Sequence, residues 1–173
     1  VKIMISTSGA WLANEAFCAQ LEADSELGAG VLAGLDDSHH FLADLANRRK
    51  NARTQLRKAI DRVTELDERH DDKARGLYYA LDALIVLAPD EDTRAAYAEI
   101  KTQLFPLGLR IVRMTHLEES GAAKELELGV SPELREHLAS LQIGKQSLAQ
   151  VLDAWIDAGK ALGQAVAERE QLK

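Results

Sequence analysis

The sequence predicts an all-α protein, an antiparallel bundle of about five or six helices with one long helix among them. Three observations carry that expectation. Apolar residues recur every three or four positions from Leu35 to Leu87, the spacing that keeps one helix face against its neighbours. Only Pro89, Pro106 and Pro132 interrupt the 173 residues, and proline is the strongest helix breaker. Aromatic residues are 5% of the chain against 46% apolar overall, so the core must be built mainly from Leu, Ala, Val and Ile.

Taken in order, the first helix is predicted from Ser8, a capping hydroxyl, through Ala10–Ala23, with Trp11, Leu12, Phe17 and Leu21 on one face. A glycine-containing lead-in, Gly28, Gly30 and Gly34, then precedes the dominant element. Residues seven apart are Leu35, Leu42, Arg49, Leu56, Val63, His70, Leu77 and Leu84, and those three further on include Leu45, Ala52, Ala59, Leu66, Ala80 and Leu87. This is a bundle or coiled-coil pattern. The polar run Asp67–Gly76 weakens the stripe, so a break is expected there, giving one helix over about Asp36–His70 and another over about Lys73–Leu87.

Pro89 followed by Asp90, Glu91 and Asp92 marks the clearest boundary, since acids favour the positive end of a new helix. The next helix is predicted from Thr93, split or kinked at Pro106 and closed by Ser120-Gly121, with a short segment from Lys124 to Gly129 after it. Ser131-Pro132 is a helix start. After Gly144 the last helix sets Leu148, Leu152, Trp155, Leu162 and Val166 on one face, with Gly159 and Gly163 among small residues that permit close approach. The rival reading is an α/β fold with a small sheet from Lys2–Ser6, Ala83–Ala88 and Leu109–Met114. Helical spacing that continues without a phase change through Leu87 favours the all-α fold.

At 173 residues one domain spanning 1–173 is expected, large enough to bury a core without disulfides. Cys18, the single cysteine, excludes an internal disulfide and a multi-cysteine zinc site. A reducing, cytoplasmic location is the corresponding expectation. The longest apolar run, Ala83–Pro89, is far below the ~20 residues of a membrane span. The amino-terminal residues are too soon polar for a secretory signal. The net charge of −7 disfavours nucleic acid and anionic lipid as partners. Against that charge, Arg48, Arg49, Lys50, Arg53, Arg57 and Lys58 occur with no acid among them. No aromatic residue or DNA-binding motif accompanies them, so they read first as a solvated face paired with the chain's own acids, and second as a grip for phosphates or an acidic partner surface.

Two Asp-x-x-His pairs, Asp36 with His39 and Asp67 with His70, have the spacing by which a helix offers carboxylate and imidazole to one metal. Only Asp67 and His70 project onto the apolar side. Their metal reading, with iron, zinc or manganese as the cation and His39 or Glu118 completing the set, competes with a plain role for His70 at a fraying helix end. Arg49 lies in the apolar seam and should meet a carboxylate or a solvated edge. Glu118-Glu119 near His116 could supply acid and base groups, although His116 projects away from its helix's apolar face. Gly28-Ala29-Gly30 has the wrong spacing for a dinucleotide loop, Gly144-Lys145 lacks the rest of a phosphate loop, His39-His40 is a surface pair, and Cys18 is a small core residue.

No catalytic motif and no family's motif stands in the chain. The expected function is a non-enzymatic helical protein-protein interaction or scaffold module, a homo-oligomer without a cofactor. The alternative is a helical bundle with a carboxylate/histidine metal or small-molecule site.

Overall fold

The computed structural model describes residues 6, 9–10, 12–24 and 26–173. Among these the chain is helical, with six α-helices: α1 (Glu15–Asp24), α2 (Glu26–Leu87), α3 (Glu91–Leu104), α4 (His116–Gly129), α5 (Pro132–Ser140) and α6 (Leu148–Gln171). A 3-10 helix, Gly108–Arg113, precedes α4, and a two-stranded antiparallel hairpin, β1 (Gln142–Ile143) with β2 (Gln146–Ser147), joins α5 to α6. The all-α fold with one long helix is therefore what the chain adopts. The α/β alternative is not: Ala83–Leu87 is the end of α2 and residues 109–113 are 3-10 helix. Lys2 to Ile5 lie outside the described residues.

Two compact units, Val1–Leu56 and Arg57–Lys173, divide the chain inside α2. In the first, α1 and the amino-terminal part of α2 are helical, as are Ser6, Gly9, Ala10 and Leu12, while Leu32 is buried and Cys18 is half-buried. Gly30 and Gly34, expected in a lead-in, are helical residues of α2. Ser8 and Trp11 lie outside the described residues.

The second unit carries the core. Leu77, Leu81, Leu104, Leu138, Leu148, Leu152 and Trp155 are fully or almost fully buried in it. The Trp155 ring stacks on Phe105 at 4.9 Å with an 11° interplanar angle, and Tyr78 meets Phe105 edge-on. Each α-helix after α2 begins on a side-chain cap. Asp90 accepts from the Thr93 amide at 2.7 Å, Ser131 accepts from Leu134 ahead of Pro132, and Thr115 with Glu118 and Ser147 with Gln150 form capping boxes. Pro106 ends α3 by excluding helical backbone at Phe105. Gly108 and Gly144, at φ +59° and +62°, supply the left-handed turns after it and in the hairpin.

Two expected boundaries are overturned. No break occurs between Asp67 and Gly76, because the polar residues there continue the buried stripe: Val63, His70, Ala74, Leu77 and Leu81 follow one another at helical intervals on one face. Polarity in that run marks no turn: Glu68, Arg69, Asp72 and Arg75 face solvent on a continuous helix while His70 is buried and Asp71 half-buried on its inner face. Likewise Ser120 and Gly121 lie inside α4, which runs on to Gly129. Ser120 is buried because α6 comes close. A Cβ on Gly159 would lie 2.5 Å from the Ala123 methyl, and one on Gly163 would run into the Ser120 hydroxyl.

Candidate functional site

The close packing of α4 on α6 brings a set of titratable groups together inside the second unit. From α2 come Asp67, His70 and Asp71, residues i, i+3 and i+4 on one face. From the first turn and a half of α4 come His116 and Glu119, and from α6 comes the indole of Trp155. Had α6 carried side chains at 159 and 163, α4 would stand further off and Glu119 with it.

His70 is fully buried, Glu119 is 2% exposed and the Asp71 side chain 13%. One ligand atom from each of the three lies within 4.8 Å of those from the other two. The Nδ1 of His70 is 3.7 Å from an Asp71 carboxylate oxygen and 3.9 Å from Oε2 of Glu119. Those separations exceed hydrogen-bonding distance. Accordingly His70 Nδ1, Asp71 Oδ1 and Glu119 Oε2 are buried without hydrogen-bond partners, an arrangement that costs roughly 1–3 kcal/mol for each such group. The remaining polar atoms are engaged. Trp155 donates its indole N–H to His70 Nε2 at 2.8 Å, and Arg75 donates to the other Asp71 oxygen at 2.6 Å. Nε2 of His116 stands 3.6 Å from Asp67.

Three carboxyl groups share this small volume, and Arg75 on Asp71 is the one arginine or lysine paired with any of them among the described residues. Burial pushes the Glu119 carboxyl up to about 8, with the negative charge of Asp67 and a hydrogen bond to its carboxyl adding to the rise. At neutral pH Glu119 thus keeps its proton. Burial also raises Asp71, against the opposing Arg75 charge. Burial lowers His70, with Asp67 acting the other way, so the imidazole is neutral. Because an indole N–H donates and cannot accept, His70 Nε2 must be the bare nitrogen. The His70 proton is on Nδ1, aimed at the unpartnered carboxylate oxygens.

Of the residues singled out from sequence, His70 belongs to the converging set, inside the protein and not at a frayed end, whereas Asp67, one-third exposed, supplies none of the three converging atoms. His39 does not join them. It lies in the first unit, where its ring faces His40 at 5.9 Å and Gly9. Glu118 also stands apart, its carboxylate accepting from the Thr115 amide at 2.8 Å and held below the usual range by that bond. Its neighbour Glu119 takes the place. Thr115-x-x-Glu118 is itself a capping-box signature, and reading it would have committed Glu118 to the helix end. His116, expected to point away, faces Asp67. Asp71 and Trp155 were missed; Asp71 is four residues from Asp67 and shares its face.

Of the two settings expected for Arg49, a carboxylate partner or a solvated edge, the structure carries the solvated one. Residues 47–55 of α2 are all exposed, so no apolar neighbour surrounds it, and it has no ion pair among the described residues. Within the basic stretch Arg48 reaches Asp44 at 2.7 Å along its own helix. Elsewhere in the second unit an apolar groove of about 730 Å³ is lined by Phe105, Leu107, Ile111, Met114, Leu126 and Leu134 among others. No helix among the described residues is long and apolar enough to cross a membrane. No family model, curated protein or solved structure matches the chain.

Proposed function

We propose that the protein is a non-enzymatic helical interaction module that associates with a second copy of itself through the exposed face of α2. The observation that carries this reading is the run of exposed residues along that helix. An isolated helix of this kind draws little stability from packing and is a natural docking element. Its charge is arranged in blocks. Lys50, Arg53, Arg57 and Lys58 precede Asp61, Glu65, Glu68 and Asp72, all eight exposed.

Two such helices laid antiparallel about the turn from Arg57 to Asp61 place the basic block of each against the acidic block of the other. Lys50 then faces Glu68, Arg53 faces Glu65 and Arg57 faces Asp61. The contact is isologous, so the same pairs form twice. Parallel pairing would set base against base. Apolar area on this face is limited to residues such as Ile60, 46% exposed, so the association is electrostatic and salt-sensitive.

Light scattering across a concentration and salt series tests it. A dimer that dissociates as salt rises is expected. K50E should weaken it at least tenfold, and K50E combined with E68K in one chain should restore it. A strict monomer at high concentration and low salt, or a dimer indifferent to both changes, overturns the proposal.

A further inference from the structure

The geometry points to a binding site for one first-row divalent cation between α2 and α4, with His70 Nδ1, Asp71 Oδ1 and Glu119 Oε2 as the protein ligands. The three atoms are buried, converge within 4.8 Å and lack hydrogen-bond partners. Two of them belong to side chains more than nine-tenths buried, His70 and Glu119. The spacings of 3.7 and 3.9 Å from Nδ1 to the two carboxylate oxygens are too long for hydrogen bonds. They are what two ligands show when each is about 2.2 Å from a common cation and they subtend a wide angle. One imidazole with two carboxylates is a donor set of intermediate hardness, suited to Mn²⁺, Fe²⁺, Co²⁺ or Zn²⁺. Asp67, next to Glu119 and His116, supplies a further negative charge beside the site.

Trp155 makes the site unusual. A metal-bound histidine ordinarily donates its second ring N–H to an acceptor. Here the second nitrogen, Nε2, faces the indole N–H at 2.8 Å, a group that can only donate. Coordination at Nδ1 moves the imidazole proton to Nε2, where it meets that N–H, so the Trp155 hydrogen bond must break. Any proton held by a ligating carboxyl leaves to solvent as its oxygen takes up the cation, and one imidazole proton moves from Nδ1 to Nε2. Trp155 therefore opposes the cation and reports its arrival.

The experiment is a titration of the metal-depleted full chain with Mn²⁺, Co²⁺ and Zn²⁺, followed by calorimetry and by the indole N–H resonance of Trp155, assigned with W155F. Saturable binding of one equivalent, with that resonance shifted or lost to exchange, is expected. E119Q, which keeps the shape of the protonated carboxyl, and D71N should each lower affinity at least tenfold. W155F should raise it, because the opposing donor is gone. No saturable binding at millimolar cation, binding unaffected by E119Q and D71N, or binding that leaves the Trp155 N–H unchanged would each overturn the inference. The wild-type resonance decides the matter even where a variant fails to fold.

Discussion

The exposed run at residues 47–55 and the buried stripe from Val63 to Leu81 lie on the same helix and obey opposite rules. The first keeps its helical backbone with every side chain in water, so its stability rests on intrinsic propensity and on local pairs such as Arg48 with Asp44. The second is held by packing: Leu77 and Leu81 have no exposed surface, and even its polar members, His70 and Asp71, turn inward. Secondary structure alone does not distinguish them. What differs is whether packed neighbours cover the helix within its own unit, and the same helix can therefore offer a docking surface in one stretch and a polar interior in another.

The largest effect expected from this contrast is in truncation of side chains. Leu77→Ala removes a fully buried side chain and should cost roughly 2–5 kcal/mol of global stability. Gln55→Ala, in the exposed run, should stay within about 0.5 kcal/mol. Urea denaturation of both variants measures the difference. Equal costs would mean that residues 47–55 are packed in solution.

A smaller effect should come from pH, and only in the buried stretch. Glu119, raised to about 8 from 4.5, binds more proton folded than unfolded between those values, so it lowers stability as pH rises through that window. His70, lowered from 6.5 by burial, binds less proton folded than unfolded below 6.5 and lowers stability as pH falls. The two slopes oppose each other below 6.5. Above 6.5 the His70 slope fades, and stability should fall as pH rises towards 8, with Asp71, which burial also raises, acting in the same direction as Glu119. Glu119→Gln should flatten the fall. A profile as steep in the variant as in the wild type would place the titrating group elsewhere.

The contrast also explains what was legible in the sequence. Helix content, the acidic start after Pro89, the Ser131-Pro132 cap and the close approach at Gly159 and Gly163 follow from local chemistry, and the structure carries them all. Asp67 with His70 was visible as a spacing. Residues 67–76 were misread as a turn because polarity in a stripe has two physical causes, solvent and a buried polar partner, and a single helix does not say which. The partner, Glu119, comes from a helix some fifty residues away. Trp155, which fixes the His70 tautomer, lies 85 residues from it. Arg49 shows the converse: its heptad position set it in the stripe, yet it lies at the solvated edge that was one of its two expected settings, because a repeat specifies which face a neighbour would cover and not that a neighbour is there.

The smallest effect probes the exposed run most directly. Ala52→Gly removes no contact, since Ala52 is exposed, and it should cost about 1 kcal/mol of helix propensity. With no packing to couple that loss to the core, it should appear as faster amide exchange confined to neighbouring turns of α2 while the denaturation midpoint of the second unit stays unchanged. If two copies pair through this face, raising the protein concentration should restore the slow exchange, and raising the salt should remove it again. Exchange that ignores both would separate the exposed run from any docking role, leaving it as a helix that stands on propensity alone.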